Sequence, residues 1–290
     1  MGQIFDGKRL AAEIKISLQE QVAHLTSQWG RRPALQVLLA GNDYGSLHYA
    51  ESCIKQANAL GFHCELHRLA ETATEEEVIT EIERVNDDPA IDGLLVQMPL
   101  PKHLPANRII NHLRSDKDVD GITDANIAAL WKQRTTDYSL FSVPCTPRSV
   151  MRILQEMGIS LDGKRAVVVG RSNIVGLPVA KLLMNANCTV TVAHSHTRNL
   201  PDLLREADIV VAAIGQPKFI TADMISENAV VIDVGINSDP LTGKMVGDVD
   251  YAAIADRCSW VTPVPGGVGP LTICSLLENT LACYQRHLLS

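Results

Sequence analysis

The chain lacks the marks of several protein classes. It has no excess of positive charge, with 26 Lys and Arg against 33 Asp and Glu and a net charge of −7. Without a basic footprint, nucleic acid is not an expected partner. No apolar run approaches membrane-spanning length, so no membrane association is expected. The opening MGQIFDGKRLAAEIK has no hydrophobic core of a secretory signal, and Asp6 breaks the myristoylation pattern. Cysteines at 53, 64, 145, 188, 258, 274 and 283 are odd in number and include no C-x-x-C. That excludes a disulfide frame or zinc site and points to buried, reduced thiols in a cytoplasmic protein. There is no internal repeat and no low-complexity segment. At 290 residues the chain has room for two ordinary domains.

The most informative stretch is Arg165 to Ala180, RAVVVGRSNIVGLPVA. A β-branched run, Ala166 to Val169, stops at Gly170, and helical character begins at Ile174. Strand, glycine turn and helix aim backbone N–H groups and a helix N-terminus at a phosphate. Gly170-x-Ser172-x-x-x-Gly176 departs from G-x-G-x-x-G. Gly170 can make the sharp turn, Ser172 adds a hydroxyl donor, and Gly176 lets the helix pack close to the sheet. These residues favour a dinucleotide site over a plain βα turn, which stays open on this stretch alone. The next strand, Cys188 to Ala193, ends in His194-Ser195-His196-Thr197 with no Asp or Glu to accept from a ribose 2′-OH. Arg171 and Ser195 instead suit the 2′-phosphate of NADP. The H-x-H has no evident third ligand, so no metal is expected.

Helices and strands alternate along the chain. Leu10, Ile14, Leu18, Val22 and Leu25 form a helical stripe within Lys8 to Trp29. Ala34 to Ala40 reads as a buried strand, Ser46 to Leu60 as a helix and Phe62 to Leu69 as a strand. Thr74 to Val85 is a helix with a capping box from Thr74 and Glu77. Gly93 to Gln97 is a third strand. This β-α-β-α-β order predicts a parallel sheet. After a Pro-Cys-Thr-Pro turn at 144–147, a helix at Ser149 to Met157 leads into the glycine turn. Strands follow at Ile209 to Ile214 and Val230 to Val234, and a last helix at Thr272 to His287. The expected fold class is α/β: two α/β lobes, the second Rossmann-like and dinucleotide-binding, with a cleft between them.

GRSNIVGLP at 170–178 and PGGVGPLT at 265–272 resemble the two signatures of the bifunctional methylenetetrahydrofolate dehydrogenase/cyclohydrolase family, the FolD family. GLLVQMPLP at 93–101, KDVDG at 117–121, PCTP at 144–147, HSHT at 194–197, VIDVGIN at 231–237 and GDVD at 247–250 match in order and spacing. The resemblance covers essentially the whole chain. It implies NADP-linked oxidation of 5,10-methylenetetrahydrofolate in one-carbon metabolism, then hydrolysis of the methenyl product to 10-formyltetrahydrofolate. It also implies tetrahydrofolate derivatives as ligands and a cytoplasmic homodimer. The expected divisions are 1–121 for the folate-binding catalytic domain, joined by the C-terminal helix 272–290. Residues 122–148 form a connecting helix and linker, and 149–271 the NADP-binding domain.

Carried over by position, the resemblance places Tyr49, Cys53, Gln97 and Asp120 at catalytic positions. It adds Pro265, Gly266, Gly267, Val268 and Thr272 to the folate site. Gly170, Arg171, Ser172, Ile174, Ser195, Thr197, Gly215 and Ile236 fall at cofactor positions. The Asp120 carboxylate can accept from the adjacent N–H and amino groups of a pterin edge. On local sequence alone, DVDG reads as an Asp-Gly turn, and Gln97 as an ordinary polar strand end.

The departures cluster on the folate side. The family pattern is Tyr-x-x-x-Lys, with the lysine central to catalysis, and here it is Tyr49-Ala-Glu-Ser-Cys53. Lys55 points roughly 200° round the helix from Cys53 and does not stand in. Thr123-Asp124 replaces His-Pro, Ala128 and Ser149 replace glycines, and Leu271 replaces methionine. Hydride loss from a carbon flanked by two nitrogens moves no proton, whereas hydrolysis needs a positioned acid–base group. Dehydrogenase activity is therefore expected, and cyclohydrolase activity is in doubt. Two other readings stay open: a paralogue acting on another pterin or small ligand, and a folate- or NADP-binding protein without turnover.

Overall fold

The computed structural model describes residues 2–289. Along the chain lie β1 (Gln3–Ile4), α1 (Gly7–Trp29), β2 (Ala34–Ala40), α2 (Tyr44–Ala59), β3 (His63–Leu69), α3 (Glu75–Asp87) and β4 (Gly93–Val96). Then come α4 (Ala106–Ile110), α5 (Asp124–Lys132), α6 (Cys145–Glu156), β5 (Arg165–Val169), α7 (Gly176–Asn185), β6 (Thr189–Ala193) and α8 (Leu200–Arg205). The chain ends with β7 (Ile209–Ala212), β8 (Val230–Asp233), β9 (Asn237–Ser238), β10 (Met245–Val246), α9 (Tyr251–Ile254), β11 (Trp260–Val261) and α10 (Gly269–Leu289).

The chain divides into two compact units. The smaller sheet belongs to residues 13–133, 137–143 and 276–289. Its order is β3-β2-β4, with every pairing parallel. Every residue of β2 is buried, as a strand covered on both faces requires. Leu38, Ala40, Val78, Ile82, Val85, Leu94, Val96 and Ile109 form the core beneath α3 and α4. The Thr74–Glu77 capping box forms as predicted. The buried Lys117 ammonium donates to the Val85 and Asp88 carbonyls at 2.7 and 2.6 Å, satisfying the end of α3.

Residues 2–12, 134–136 and 144–275 form the other unit. Its sheet runs β1-β11-β8-β7-β5-β6, all parallel, with a separate β9–β10 hairpin. Strand order reverses at β5, which has β6 on one side and β7 on the other. The carboxyl ends of β5 and β7 are thus the switch point where α/β sheets bind ligands. Val167, Val169, Leu204, Val210, Ile220, Val231, Ile254 and Val261 fill the core on one face.

Several predicted boundaries move, including the last helix, which begins at Gly269 and not Thr272. The Pro-Cys-Thr-Pro segment is not a turn before a helix but the first turn of α6, which starts at Cys145. Proline in a first turn removes an N–H that has no helical partner anyway. The helix after the glycine turn starts at Gly176, not Ile174.

Candidate active site

In the smaller unit, three predicted residues collect at the carboxyl end of the sheet. Gln97 follows β4 directly and is only 8% exposed. Its Nε2 donates to the Met98 carbonyl at 2.9 Å, while its buried Oε1 has no hydrogen-bond partner among the described residues. A buried acceptor left open fits a ligand donor. The 117–121 segment runs parallel beside β4 through the Leu94–Asp118 bridge, which carries Asp120 to the same end. The buried Asp118 carboxylate shapes this loop. It accepts from the Gly121 and Thr123 amides at 2.8 and 2.9 Å and from Asn126 Nδ2 at 2.8 Å. Asp120 is half-buried. Tyr49, also half-buried, lies in the second turn of α2. The start of that helix is fixed by Asp43, which accepts from the Ser46 amide and hydroxyl at 2.8 Å. The Ser46 hydroxyl also reaches the Met98 carbonyl at 3.4 Å, tying α2 to the Gln97 turn.

Cys53 has a different setting. It lies with Ser46, Ala50 and Ala57 on the buried face of α2 and is 0% exposed. Its thiol lies against that of Cys64 on β3, and this neighbour together with burial raises the Cys64 thiol above its ordinary range. Thr123 is the N-cap of α5, accepting from the Asn126 amide. Ser149 is buried in α6, where its hydroxyl donates to the Cys145 carbonyl at 2.8 Å and bonds the Ser275 hydroxyl of α10 at 3.0 Å.

The six-stranded unit holds the glycine turn. Gly170 has φ +131°, and a Cβ there would lie 2.1 Å from the Ala213 carbonyl oxygen. A Cβ on Gly176 would lie 2.2 Å from the Gly170 oxygen. Only glycine permits this approach of turn, helix and β7. Ser172 Oγ accepts from the Val175 and Gly176 amides at 3.2 and 3.3 Å, leaving its O–H to donate outward. Arg171 and Ile174 are exposed. Val169 pairs with Ala193, so Arg171 and Ser195 stand on adjacent strand ends. Thr197 Oγ1 accepts from the His194 amide at 2.8 Å, and His194 Nδ1 accepts from the His196 amide at 3.2 Å, shaping the turn that exposes Ser195. Gly215 follows β7, and Ile236, 68% exposed, follows β8. In the 265–272 segment, the Gly266 carbonyl accepts from the Gly7 amide at 3.0 Å, and the Thr272 hydroxyl donates to the Gly269 carbonyl at 2.8 Å. Pro265 is exposed, and Gly267 and Val268 are buried. Among the described residues, no group of three or more His, Cys, Asp and Glu is placed to hold a metal ion, and no helix is long and apolar enough to cross a membrane.

The site residues that sequence reading missed are buried acids. Asp118, Asp233 and Asp248 bind backbone amides around the loops that carry the predicted residues. The signal was an acid set among apolar and glycine neighbours in DVDG, IDVG and GDVD.

The switch-point turn, with no acidic residue at the end of β6, defines an NADP-binding α/β protein. A glycine cradle that any side chain would fill fits a pyrophosphate approaching the backbone. Residues 5–120 match the tetrahydrofolate dehydrogenase/cyclohydrolase catalytic domain, and residues 144–288 match the NAD(P)-binding domain of the same name. The bifunctional protein FolD of Rhodospirillum rubrum is 47% identical, with 98% of this chain and 97% of that protein aligned. That of Streptococcus pneumoniae is 46% identical over 99% of both. The Campylobacter jejuni FolD crystal structure superposes with a TM-score of 0.94 at 40% identity, covering 99% of this chain and 100% of that one. The Trypanosoma brucei FolD structure, complexed with NADP and an inhibitor, gives 0.94 at 38%, covering 100% and 99%. The chain belongs to the tetrahydrofolate dehydrogenase/cyclohydrolase family.

Proposed function

We propose that this protein oxidises 5,10-methylenetetrahydrofolate with NADP and has lost most of the family's cyclohydrolase activity. Gln97 and Asp120 offer a pterin edge one open acceptor and one carboxylate at the same sheet end. Arg171, Ser172 and Ser195 hold the phosphates of NADP, which when bound accepts the hydride. The departing hydride leaves a cation delocalised over two nitrogens, so positioning is most of what the protein must supply.

Hydrolysis asks for more. Water must be deprotonated as it attacks the methenyl carbon, and a ring nitrogen must take a proton as the ring opens. The family's lysine supplies a titratable amine there. The observation that carries the split is Cys53, a short thiol buried against Cys64. A thiol so placed has neither the reach nor the charge of a lysine. We also infer a homodimer in the cytoplasm, consistent with free thiols at all seven cysteines. Sedimentation velocity reads the mass of the assembly.

The test is an assay with methylenetetrahydrofolate and NADP that follows reduced nicotinamide and the methenyl chromophore separately. The two products rise together one for one, and methenyltetrahydrofolate then decays at the buffer rate in single turnover. Rapid decay overturns the split between the activities. No reduced nicotinamide overturns the dehydrogenase reading and favours a binding protein.

A further inference from the structure

Two buried acids in the nucleotide unit have no part in the chemistry above. Asp248 is 0% exposed and Asp233 is 2% exposed. Asp248 Oδ2 accepts from the backbone amides of Ile214 at 2.7 Å and Gly215 at 3.1 Å. Its Oδ1 accepts from the Gln216 amide at 2.8 Å and from Asn237 Nδ2 at 2.9 Å. Three successive amides after β7, and the side chain that opens the β9–β10 hairpin, converge on one anion.

Asp233 stands behind it. Asp233 Oδ1 accepts from the Asp248 amide at 3.0 Å and the Gly235 amide at 2.9 Å, and Oδ2 accepts from the Val249 amide at 2.9 Å. The fit is tight on both sides. A Cβ on Gly247 would lie 1.9 Å from Asp233 Oδ2, and one on Gly235 would lie 2.3 Å from Asp248 Cγ. Burial pushes the Asp233 carboxyl up to about 6, despite its three amide donors and with the Asp248 charge adding to the rise. A pair of like charges out of water is costly to fold, so its return lies in the geometry it imposes.

That geometry concerns one end of the nucleotide. The 2′-phosphate groups, Arg171 and Ser195, stand at the ends of β5 and β6. The loops gripped by Asp248 follow β7 and β8, on the other side of β5. A dinucleotide laid across the switch point with its adenosine 2′-phosphate at β6 extends its nicotinamide half toward them. We propose that Asp248, held in place by Asp233, is a positioning residue that sets the 214–216 and 235–237 loops against the nicotinamide half of NADP. The proposal rests on the nucleotide reading above.

The experiment compares NADP with adenosine 2′,5′-bisphosphate, which carries only the adenosine half, by isothermal titration. In Asp248→Asn the side chain is isosteric but turns a donor toward donors. NADP affinity falls about tenfold or more, as expected for lost bonds to a charged group, while the bisphosphate binds as in the parent. Asn237→Ala keeps the carboxylate and removes one donor at the rim, so it covers the case in which Asp248→Asn fails to fold. It weakens NADP by about threefold, with the bisphosphate again unchanged. If both ligands weaken alike, or neither weakens in Asn237→Ala, Asp248 only supports the fold and the proposal is overturned. If the parent binds neither ligand, the nucleotide reading itself fails.

Discussion

Arg171 reaches the end of β6 because Val169 pairs with Ala193, which puts the two turns side by side. The guanidinium lies exposed next to a loop that offers hydroxyls and imidazoles but no carboxylate. Arg171→Ala therefore weakens NADP about tenfold or more and leaves NAD nearly unchanged, since only the 2′-phosphate loses a charge-assisted contact. Equal affinity of the parent for the two nucleotides overturns this assignment. The pairing was legible because both residues close apolar strands and the missing acid is a simple absence. Asp248 was not legible. Its partners are the backbone amides of residues 214–216, more than thirty positions earlier, and amides carry no mark of their type.

At the scale of elements, strands and helices were read well where a run of apolar residues met a strong stop. β2 is one such run, with all seven residues buried, and α3 carries its own capping box. The start of α6 was misread because prolines at 144 and 147 look like a turn until Pro147 is placed in a first helical turn. The packing of α2 on β3 was out of reach for another reason. Periodicity gives a buried face, here Ser46, Ala50, Cys53 and Ala57, but not what it meets. It meets Cys64, and that changes what a lysine placed at position 53 can do. In Cys53→Lys alone, the lysine stem must share a fully buried space with the Cys64 thiol, and a trapped ammonium loses its proton or destabilises the fold. Cys53→Lys combined with Cys64→Ala relieves that crowding. The double variant therefore hydrolyses methenyltetrahydrofolate faster than the single one in single turnover, after the buffer rate is subtracted. Equal rates would show that Cys64 is not the obstacle.

At the scale of the whole chain, α1 and α10 each begin in one compact unit and end in the other. This is not legible from residue order, since a helical stripe reports an apolar face and not which core receives it. The far end of α10 is tied down by charge. Asp92, fully buried before β4, accepts from both Arg31 terminal nitrogens at 2.7 Å, from the Ala34 amide at 2.8 Å and from His287 at 3.2 Å. Tyr284 of α10 donates to the Arg31 carbonyl at 2.8 Å, with the guanidinium 4.6 Å from its ring centre. Burial alone would raise the Asp92 carboxyl, but the Arg31, His287 and Ala34 bonds outweigh it and hold it below the ordinary range. A depressed carboxyl pKa means that the folded state favours the ionised form. The stability it contributes is complete above the unfolded value of about 3.9 and is lost as pH falls through the lower folded value. Asp92→Asn leaves Arg31 without its partner, at a cost of about 2–3 kcal/mol, since Arg31 is a third exposed and water compensates in part. Urea unfolding at neutral pH shows that gap between parent and variant. It persists down to about pH 4.5 and closes below about 3.9, as the parent's own carboxylate takes up a proton. A gap that stays constant to pH 3 would mean that Asp92 supports the fold by shape and not by charge.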